Sequence, residues 1–270
     1  MVDFDKLILV KDENMERTDD KNDLMTEQMF GIPLFGRSEV ELLDWLTKEI
    51  DIVRKQPVWV ATVNPEFVMN ASKDRDFLEM LKRRTTVNVI DGVGLIWALK
   101  VQKGFLPIRV GWEILRGKHR ENLITGADLV DKMCQLAEEK KKSVYFFGGW
   151  GDRARRTAEY FLKKYPKLKV VGYKDENFDY QTEADFLFVA RGMKKQEIWI
   201  DKSLDKLKVK VVMGVGRSFD YYSGELKRAP SKIRKMGLEW LYSLFKEPKR
   251  WKRQLALPKF IVKVLFQSRG

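Results

Sequence analysis

The sequence predicts an α/β protein with a mostly parallel sheet that is covered by helices on both faces. Three observations lead to this prediction. Short apolar runs alternate with segments of helical periodicity between about residues 58 and 216. Polar residues and glycines gather directly after these runs, which is where α/β sheets carry their ligand-binding loops. The chain has 270 residues, enough to bury a core, and contains no short-period repeat or low-complexity segment.

The predicted elements follow one another along the chain. Strands are predicted at the apolar runs 58–64, 87–91, 143–149, 168–173, 186–191 and 209–216. Helices are predicted at 65–84, 92–102, 126–142, 152–166 and 194–207, with Pro65 suited to a first turn and Thr125 to a cap. A loop rich in glycine and basic residues is predicted from 103 to about 121. We divide the chain into a mobile extension (1–30), an α/β domain (31–230) and an appendage (231–270).

The chain contains one cysteine, Cys134, and one histidine, His119. Intramolecular disulfides and cysteine-cluster metal sites are therefore excluded, and a reducing compartment is favoured. A single histidine also excludes His-rich zinc sites and argues against a Ser-His-Asp triad. Acid–base chemistry then has to rest mainly on Asp, Glu, Lys or Tyr side chains.

Neither end of the sequence shows a membrane-spanning pattern. The first residues lack the basic and apolar regions of a signal peptide. No apolar run approaches the roughly 20 residues that are needed to cross a bilayer. We therefore expect a cytoplasmic protein.

Positive charge is concentrated in the C-terminal tail. Residues 225–270 contain 13 Lys or Arg and 3 Asp or Glu, which accounts for +10 of the net charge of +13. Apolar and aromatic residues recur there at spacings of three and four, interrupted at Pro248 and Pro258, as in helices that lie at a membrane interface. We predict a peripheral protein on the anionic inner face of the cell membrane. The alternatives are helices packed on the domain with exposed Lys and Arg, and RNA binding, to which aromatic residues on an apolar helix face are poorly suited.

Polar residues or glycines lie at the ends of five of the predicted strands or shortly after them. Because the carboxyl ends of parallel strands meet at one sheet edge, these residues are expected to converge on a site. They are Thr62, Asn64, Asp91, Gly148, Gly149, Gln196, Glu197 and Asp220. One such residue alone means little, since turns also require them. Asp91 is the candidate catalytic acid or base, and the alternative is a turn residue that caps the next helix.

Two short motifs are weaker indications of a ligand-binding site than the strand-end residues are. The glycines of GGWG, residues 148–151, either let backbone N–H groups approach a phosphate or form only a tight turn. They match neither a P-loop nor a dinucleotide-binding fingerprint. Asp74 and Asp76 match the D-x-D of metal-dependent nucleotide-sugar transferases, but a place inside a helix favours an exposed helix face. We assign no metal site.

Longer motifs occur in a fixed order from about residue 31 to the end. They are TVNPEFV, VIDGVGLIWA, TGADL, VYFFGG, FVARGMKKQEIWI, GVGRSFDYYSGELKRAP and MGLEWLYSLFKEPKRW. With these motifs the chain resembles the bacterial WecG/TagA/CpsF glycosyltransferases. The resemblance implies a Rossmann-like sheet and a basic C-terminal appendage that completes the site at the membrane.

The resemblance also implies an activity, an inverting and metal-independent transfer of a hexose from a UDP-sugar to a polyprenyl-diphosphate-linked sugar. The hexose is N-acetylmannosamine in members that make the linkage unit of wall teichoic acid, and other members serve exopolysaccharide synthesis. No cofactor is implied, nucleic acid is not an expected partner, and some members form homo-oligomers.

Individual residues receive roles from the resemblance. Asp91 holds the position of the general base, and Gly92 and Gly94 are expected to leave room for a sugar beside it. The matching substrate-binding positions are Thr62, Asn64, Arg120, Gln196, Arg250 and Arg253. The last two match arginines of the appendage that hold a diphosphate.

The chain departs from the family's pattern at several positions. Ser243 replaces an arginine, Arg191 an apolar residue and Arg217 a glycine, and the segment 172–186 is too short for the usual crossover helix. The alternative function is therefore a catalytically degenerate homologue that acts as a basic nucleic-acid-binding or scaffold protein. Such a protein would bind RNA in a salt-sensitive manner and would lack affinity for UDP.

Overall fold

A parallel sheet of six strands forms the centre of the protein. The structure, a computed structural model, describes residues 24–248 and 251–267. The strands are β3 (Val58–Val63), β4 (Val87–Ile90), β5 (Ser143–Gly148), β6 (Lys169–Lys174), β7 (Glu183–Ala190) and β8 (Lys208–Gly214). Their order is β4-β3-β8-β7-β5-β6, and every neighbouring pair is parallel. The predicted α/β, Rossmann-like arrangement is confirmed.

A short antiparallel hairpin precedes the sheet, formed by β1 (Glu27–Met29) and β2 (Ile32–Leu34). It joins the sheet at β4, where Phe35 N–H donates to Asn88 O at 2.8 Å. Met29 and Leu34 are fully buried. Residues 24–30 thus contribute to the folded core, although the predicted extension included them, and residues 1–23 lie outside the described part of the chain.

Helices cover both faces of the sheet, as its apolar strands require. They are α1 (Glu39–Glu49), α2 (Pro65–Ala71), α3 (Arg75–Arg83), α4 (Val93–Gln102), α5 (Pro107–Leu115), α6 (Gly126–Glu139), α7 (Arg153–Lys164), α8 (Lys195–Ser203), α9 (Ser218–Tyr222), α10 (Ser231–Lys235), α11 (Glu239–Lys246), α12 (Trp251–Gln254) and α13 (Ala256–Gln267). Val58 and Val60 of β3 belong to the apolar cluster with α1, α6 and α7. Ala61 and Val63 belong to the cluster with α2 to α5 and α13, so the two sets of helices lie on opposite faces.

Three local predictions are wrong. The segment 65–84 forms two helices, because Asp74 caps α3 by accepting a hydrogen bond from Phe77 N–H at 3.0 Å. The predicted loop 103–121 contains helix α5, because Val110 and Ile114 pack into the core. Pro258 does not interrupt the last helix, since it lies in the first turn of α13, where backbone N–H groups have no partner within the helix.

The link between β6 and β7 is as short as the sequence indicates. Both strands run parallel to β5 and flank it, yet only residues 175–182 join them. Phe178 in this link lies 5.1 Å from Phe147 and 5.4 Å from Trp199 between ring centroids. Irregular backbone with aromatic side chains therefore takes the place of a crossover helix.

The C-terminal tail combines a packed helix with exposed ones. Phe260 and Val264 of α13 are buried in the core, and α13 packs on α2 and α4. Phe245 of α11 and Trp251 of α12 are mostly exposed. The predicted helical appendage is confirmed, and its last helix belongs to the core. Over residues 24–248 and 251–267, no helix has the length and apolar character needed to span a bilayer.

Candidate active site

A cavity of about 590 Å³ opens at the carboxyl ends of β3, β4 and β8. Its walls come from the strand ends, from helix α5 and from the C-terminal tail. The lining includes Thr62, Asn64, Glu66, Asp91, Gly92, Gly94, Gly111, Leu115, Arg120, Gln196, Arg217, Arg228, Arg234, Glu239, Trp240, Ser243, Arg253 and Leu257. This is the part of an open α/β sheet where ligands bind.

Asp91 lies on the floor of the cavity, directly after β4. Its backbone N–H donates to Val63 O at 2.7 Å, so strand pairing holds the chain up to this residue. The Gly126 N–H, in the first turn of α6, donates to the carboxylate. The side chain remains partly accessible from the cavity. Gly92, not Asp91, is the N-cap of α4, so the alternative in which Asp91 caps the helix is wrong.

The surroundings of Asp91 favour its protonated form. Burial raises its pKa to about 7, and the nearby carboxylates of Glu239 and Asp128 act in the same direction. The Gly126 N–H and the Arg228 guanidinium oppose this shift. A carboxylate with a pKa close to the working pH is an efficient general base. Its raised pKa and its place in the cavity lining are thus compatible with proton abstraction by Asp91.

A network of ion pairs joins α6 to the tail beside Asp91. Arg228 donates to Asp128, and it donates to Thr125 Oγ1 and to Glu239 at 3.1 Å each. Arg234 Nη1 lies 3.4 Å from Asp128 Oδ1. Because Glu239 is the first residue of α11, its pair with Arg228 holds the start of this helix at the cavity wall.

Thr62 and Asn64 lie at the end of β3 and line the cavity as predicted. Asn64 caps α2, since its Oδ1 accepts hydrogen bonds from Glu66 N–H at 3.0 Å and Phe67 N–H at 3.2 Å. Asn64 therefore presents its NH₂ group, rather than its oxygen, to a ligand. Thr62 Oγ1 lies 3.4 Å from Gly214 O and connects β3 to the end of β8.

The two glycines after Asp91 have different roles. Gly92 has a φ of +106°, a conformation that favours glycine, and a Cβ there would lie 4.0 Å from Pro65 Cδ, an ordinary van der Waals contact. A Cβ at Gly94 would lie 2.9 Å from Pro65 Cγ and 3.1 Å from Leu257 Cδ1. Gly94 thus allows close packing of α4 against α2 and α13 and also lines the cavity, so the expectation that it leaves room for a sugar stays a prediction.

Gln196 lines the cavity, and both ends of its amide are hydrogen-bonded. Gly216 N–H donates to Oε1 at 2.9 Å, and Nε2 donates to Glu197 at 2.7 Å. Glu197 itself is fully buried and does not line the cavity, contrary to its predicted role in binding. It accepts a hydrogen bond of 2.6 Å from the N–H of Lys194, whose φ is +69°. Glu197 therefore stabilises the turn that precedes α8.

Positive charge exceeds negative charge in the lining. Five arginines, residues 120, 217, 228, 234 and 253, stand against the three acids Glu66, Asp91 and Glu239. Arg253 donates two parallel hydrogen bonds of 2.9 Å to Glu66. Arg120 donates to the carbonyl oxygens at positions 234 and 235, which ties the segment before α6 to the tail. Such a cavity attracts an anionic ligand.

Other predicted site residues lie elsewhere. Gly148 and Gly149 do not line the cavity and lie at the start of the turn between β5 and α7; Gly149 N–H donates to Ala190 O at 2.6 Å, which extends the pairing of β5 with β7. Strands β8 and β7 separate their strand from β3, so this turn is distant from Asp91 along the sheet edge. Asp220 is paired with Arg153 at 2.7 Å and also stays outside the lining. Arg250 lies outside the described residues.

Three charged residues of the lining, Arg228, Arg234 and Glu239, are not among the predicted site residues. None of them follows a predicted strand, and they reach the cavity because the tail folds back over the sheet edge. Arg228 and Glu239 do occur within the ordered motifs GELKRAP and GLEW. An arginine and a carboxylate within those motifs were the available signal.

Asp74 is engaged by the protein and does not present a free carboxylate for a metal. Its Oδ1 caps α3, and its Oδ2 lies 2.6 Å from Lys194 Nζ. In the described part of the chain, no cluster of three or more His, Cys, Asp or Glu side chains is arranged to hold a metal ion. The predicted place of Asp74 inside a helix is corrected to the N-cap of α3.

The cavity at the carboxyl edge of the sheet, with a carboxylate inside it, suits the active site of an enzyme, and the class of that enzyme, glycosyltransferase, is given by the family match. The model of the glycosyl transferase WecG/TagA/CpsF family matches residues 27–270. The chain therefore belongs to this family, and the resemblance drawn from its motifs is confirmed.

Curated relatives extend over most of the chain. The N-acetylglucosaminyldiphosphoundecaprenol N-acetyl-beta-D-mannosaminyltransferase of Bacillus subtilis (strain 168) is 30% identical over 256 residues, which are 92% of this chain and 94% of the relative. The Bacillus spizizenii protein of the same name is 31% identical over 221 residues, 78% of this chain and 80% of the relative. The Staphylococcus aureus (strain MRSA252) protein of this name is 30% identical over 217 residues, 77% and 79% of the two chains.

Proposed function

We propose that the protein transfers N-acetylmannosamine, or a related hexose, from UDP to a polyprenyl-diphosphate-linked sugar during cell-wall or exopolysaccharide synthesis. The relatives' names supply the sugar class and the acceptor class. The observation that carries the proposal is Asp91, a carboxyl group with its pKa raised to about 7 on the floor of the cavity.

In the proposed reaction, the Asp91 carboxylate accepts the proton of the attacking acceptor hydroxyl. The hydroxyl oxygen bonds to the anomeric carbon as the bond from that carbon to the diphosphate oxygen breaks, and UDP leaves with the electron pair. Attack from the face opposite UDP inverts the configuration. One base is sufficient, because the leaving diphosphate needs stabilisation of its charge rather than a proton.

Arg253 is the proposed contact for the diphosphate. Its two parallel hydrogen bonds to Glu66 have the fork geometry with which a guanidinium also binds phosphate oxygens. A diphosphate would compete with Glu66 for Arg253, while the remaining cavity arginines add positive potential. We propose that these side chains stabilise the leaving group without a metal ion, so that transfer persists in EDTA.

Catalysis at a membrane surface is part of the proposal. A polyprenyl-linked acceptor remains in the bilayer, and the basic tail with exposed aromatic residues suits an anionic surface. The enzyme would therefore act as a peripheral protein on the cytoplasmic face.

Binding of UDP tests the donor site directly. Calorimetry should show that Arg253→Ala weakens UDP binding by about ten- to a hundredfold, because an arginine–phosphate contact contributes on the order of 1.5–3 kcal/mol. Arg83→Ala is the matched control, since Arg83 is an exposed arginine on α3 that does not line the cavity. Salt-sensitive RNA binding by wild-type protein that shows no affinity for UDP would contradict the proposed function.

A further inference from the structure

Helix α5 has two apolar faces, of which the protein covers one. Val110 and Ile114 are buried in the core on the inner face. Ile108, Trp112 and Leu115 follow at spacings of four and three and share the outer face. Ile108 is 89% exposed and Trp112 57% exposed. A helix that is apolar on both sides is expected to have a partner on its outer face.

Basic side chains border this outer face. Arg109 within α5 and Arg116 directly after it are exposed, and the one acidic residue of α5 is Glu113. Glu113 is already engaged by Arg109 at 3.1 Å and His119 at 2.6 Å. The Arg116 guanidinium lies 5.0 Å from the centroid of the Trp112 ring. Trp and aliphatic side chains flanked by Lys and Arg match the headgroup region of an anionic bilayer.

The outer face of α5 adjoins the mouth of the active-site cavity. Gly111 and Leu115 of α5 line one wall, and Met236 and Trp240 of the tail line another. The side chains of Leu115, Met236 and Trp240 are each more than a third exposed, so the mouth has an apolar rim. Exposed aromatic residues continue beyond the rim on α11 and α12. Apolar surface therefore lies on both sides of one opening.

We propose that α5 is a second membrane-contacting element, beside the tail. Ile108 and Trp112 insert into the interface of an anionic bilayer, Arg109 and Arg116 contact lipid headgroups, and the cavity mouth lies against the membrane between α5 and the tail. The assignment rests on the proposed function in one respect: a lipid-linked acceptor can enter the cavity from the bilayer only if the cavity mouth faces the bilayer. Contact of α5 with lipid is measurable without any transfer reaction.

Vesicle flotation of the full chain tests the contact. With vesicles of phosphatidylglycerol and phosphatidylcholine, the double substitution I108D/W112D should reduce the partition coefficient by about tenfold, because two apolar side chains leave the interface. The matched control is V40D/V53D, which places two carboxylates at positions that are 66% and 90% exposed. These positions belong to α1 and the segment after it, on the opposite face of the sheet from α5, so flotation should stay at the wild-type level.

A nitroxide label locates α5 relative to the bilayer. The only native cysteine, Cys134, is buried, so a thiol reagent labels Ile108→Cys selectively in the folded protein. Vesicles should increase the collision rate of this label with oxygen and decrease that with a water-soluble nickel complex. A label at Val53→Cys should show neither change.

Three outcomes would overturn the assignment. One is wild-type flotation of I108D/W112D, and another is a label at position 108 that stays water-exposed on vesicle-bound protein. The third is a wild-type dimer that I108D/W112D converts to a monomer without loss of flotation, which would make this face a contact between two copies.

Transfer to a water-soluble, short-chain acceptor should be equal in wild-type protein and I108D/W112D. Failure of wild-type protein in that assay would contradict the proposed function and leave the flotation result intact.

Discussion

Asp91 and Glu197 are two carboxyl groups whose pKa burial raises to about 7, and the protein places them in opposite settings. Asp91 lies on the cavity floor with one side accessible, and Glu239 adds negative charge nearby. Glu197 is fully buried, with one oxygen bonded to Lys194 N–H and the other to the Gln196 amide. A raised pKa therefore marks an unusual environment, and only access to a ligand makes such a group a catalytic candidate.

The difference originates in the elements that carry the two groups. Asp91 ends a strand, where the sheet edge opens to ligands. Glu197 lies in the first turn of α8, beneath the end of β8, where a Cβ at Gly214 would lie 2.8 Å from its Oε1. Close packing there excludes a ligand from Glu197. The contrast predicts a catalytic role for the first carboxylate and a structural role for the second.

Replacement of each carboxylate by the matching amide should give the largest difference in turnover between the two positions. Asp91→Asn should lower turnover by about 10²–10⁴, the usual contribution of a general base, because the amide cannot accept the proton. Affinity for UDP should change little, since the proposed donor contacts lie at Arg253. Steady-state rates with a UDP-sugar and calorimetry with UDP measure the two effects.

Glu197→Gln is the matched control for Asp91→Asn. Its amide oxygen can still accept the hydrogen bond from Lys194 N–H, but its NH₂ group would face the NH₂ group of Gln196, so stability should fall. Turnover should stay within a few-fold of wild type, because Glu197 does not line the cavity. Comparable losses of turnover in the two variants would remove the distinction between the sites. Near-wild-type turnover of Asp91→Asn would exclude Asp91 as the base.

The free energy of unfolding should depend on pH through both carboxylates, whereas turnover should depend on Asp91 alone. Their folded pKa values of about 7 exceed the ordinary values of 3.8 and 4.5. Between these limits the folded state holds protons that the unfolded chain has released, so stability is fully present at low pH and decreases as pH rises through 7. Each group contributes at most about 1.4 kcal/mol per pH unit to this decrease.

Urea denaturation at pH 5 and at pH 8 measures this contribution. The free energy of unfolding should fall less between the two pH values in Asp91→Asn and in Glu197→Gln than in wild type. If neither amide variant differs from wild type, the raised pKa values are wrong. If only Glu197→Gln differs, Asp91 is more solvated than its place on the cavity floor indicates.

Sequence could predict the sheet and the position of Asp91 because both depend on local patterns. Apolar runs of strand length and a carboxylate directly after one of them are visible without tertiary structure. Strand order is not visible in this way, and it places the Gly148–Gly149 turn away from Asp91. Arg228 and Glu239 reach the cavity only because the tail folds back over the sheet, so their place within two of the ordered motifs did not by itself mark them as site residues. Helix α5 was missed because glycine and basic residues obscured the apolar periodicity of Ile108, Trp112 and Leu115.

Glu239 permits a finer test, because it acts on Asp91 and leaves Glu197 unaffected. The rate of transfer should rise with pH through about 7 as Asp91 loses its proton. Glu239→Gln removes a like charge and leaves the positive charge of Arg228 less compensated, and both changes lower the pKa of Asp91. The rising limb of kcat/KM should therefore move to lower pH, so that the variant retains more of its maximal rate at pH 6 than wild type does.

Glu225→Gln, which neutralises a partner of Arg153 outside the cavity, should leave the profile in place. A limb that stays fixed or moves to higher pH in Glu239→Gln would show that the tail does not tune the base.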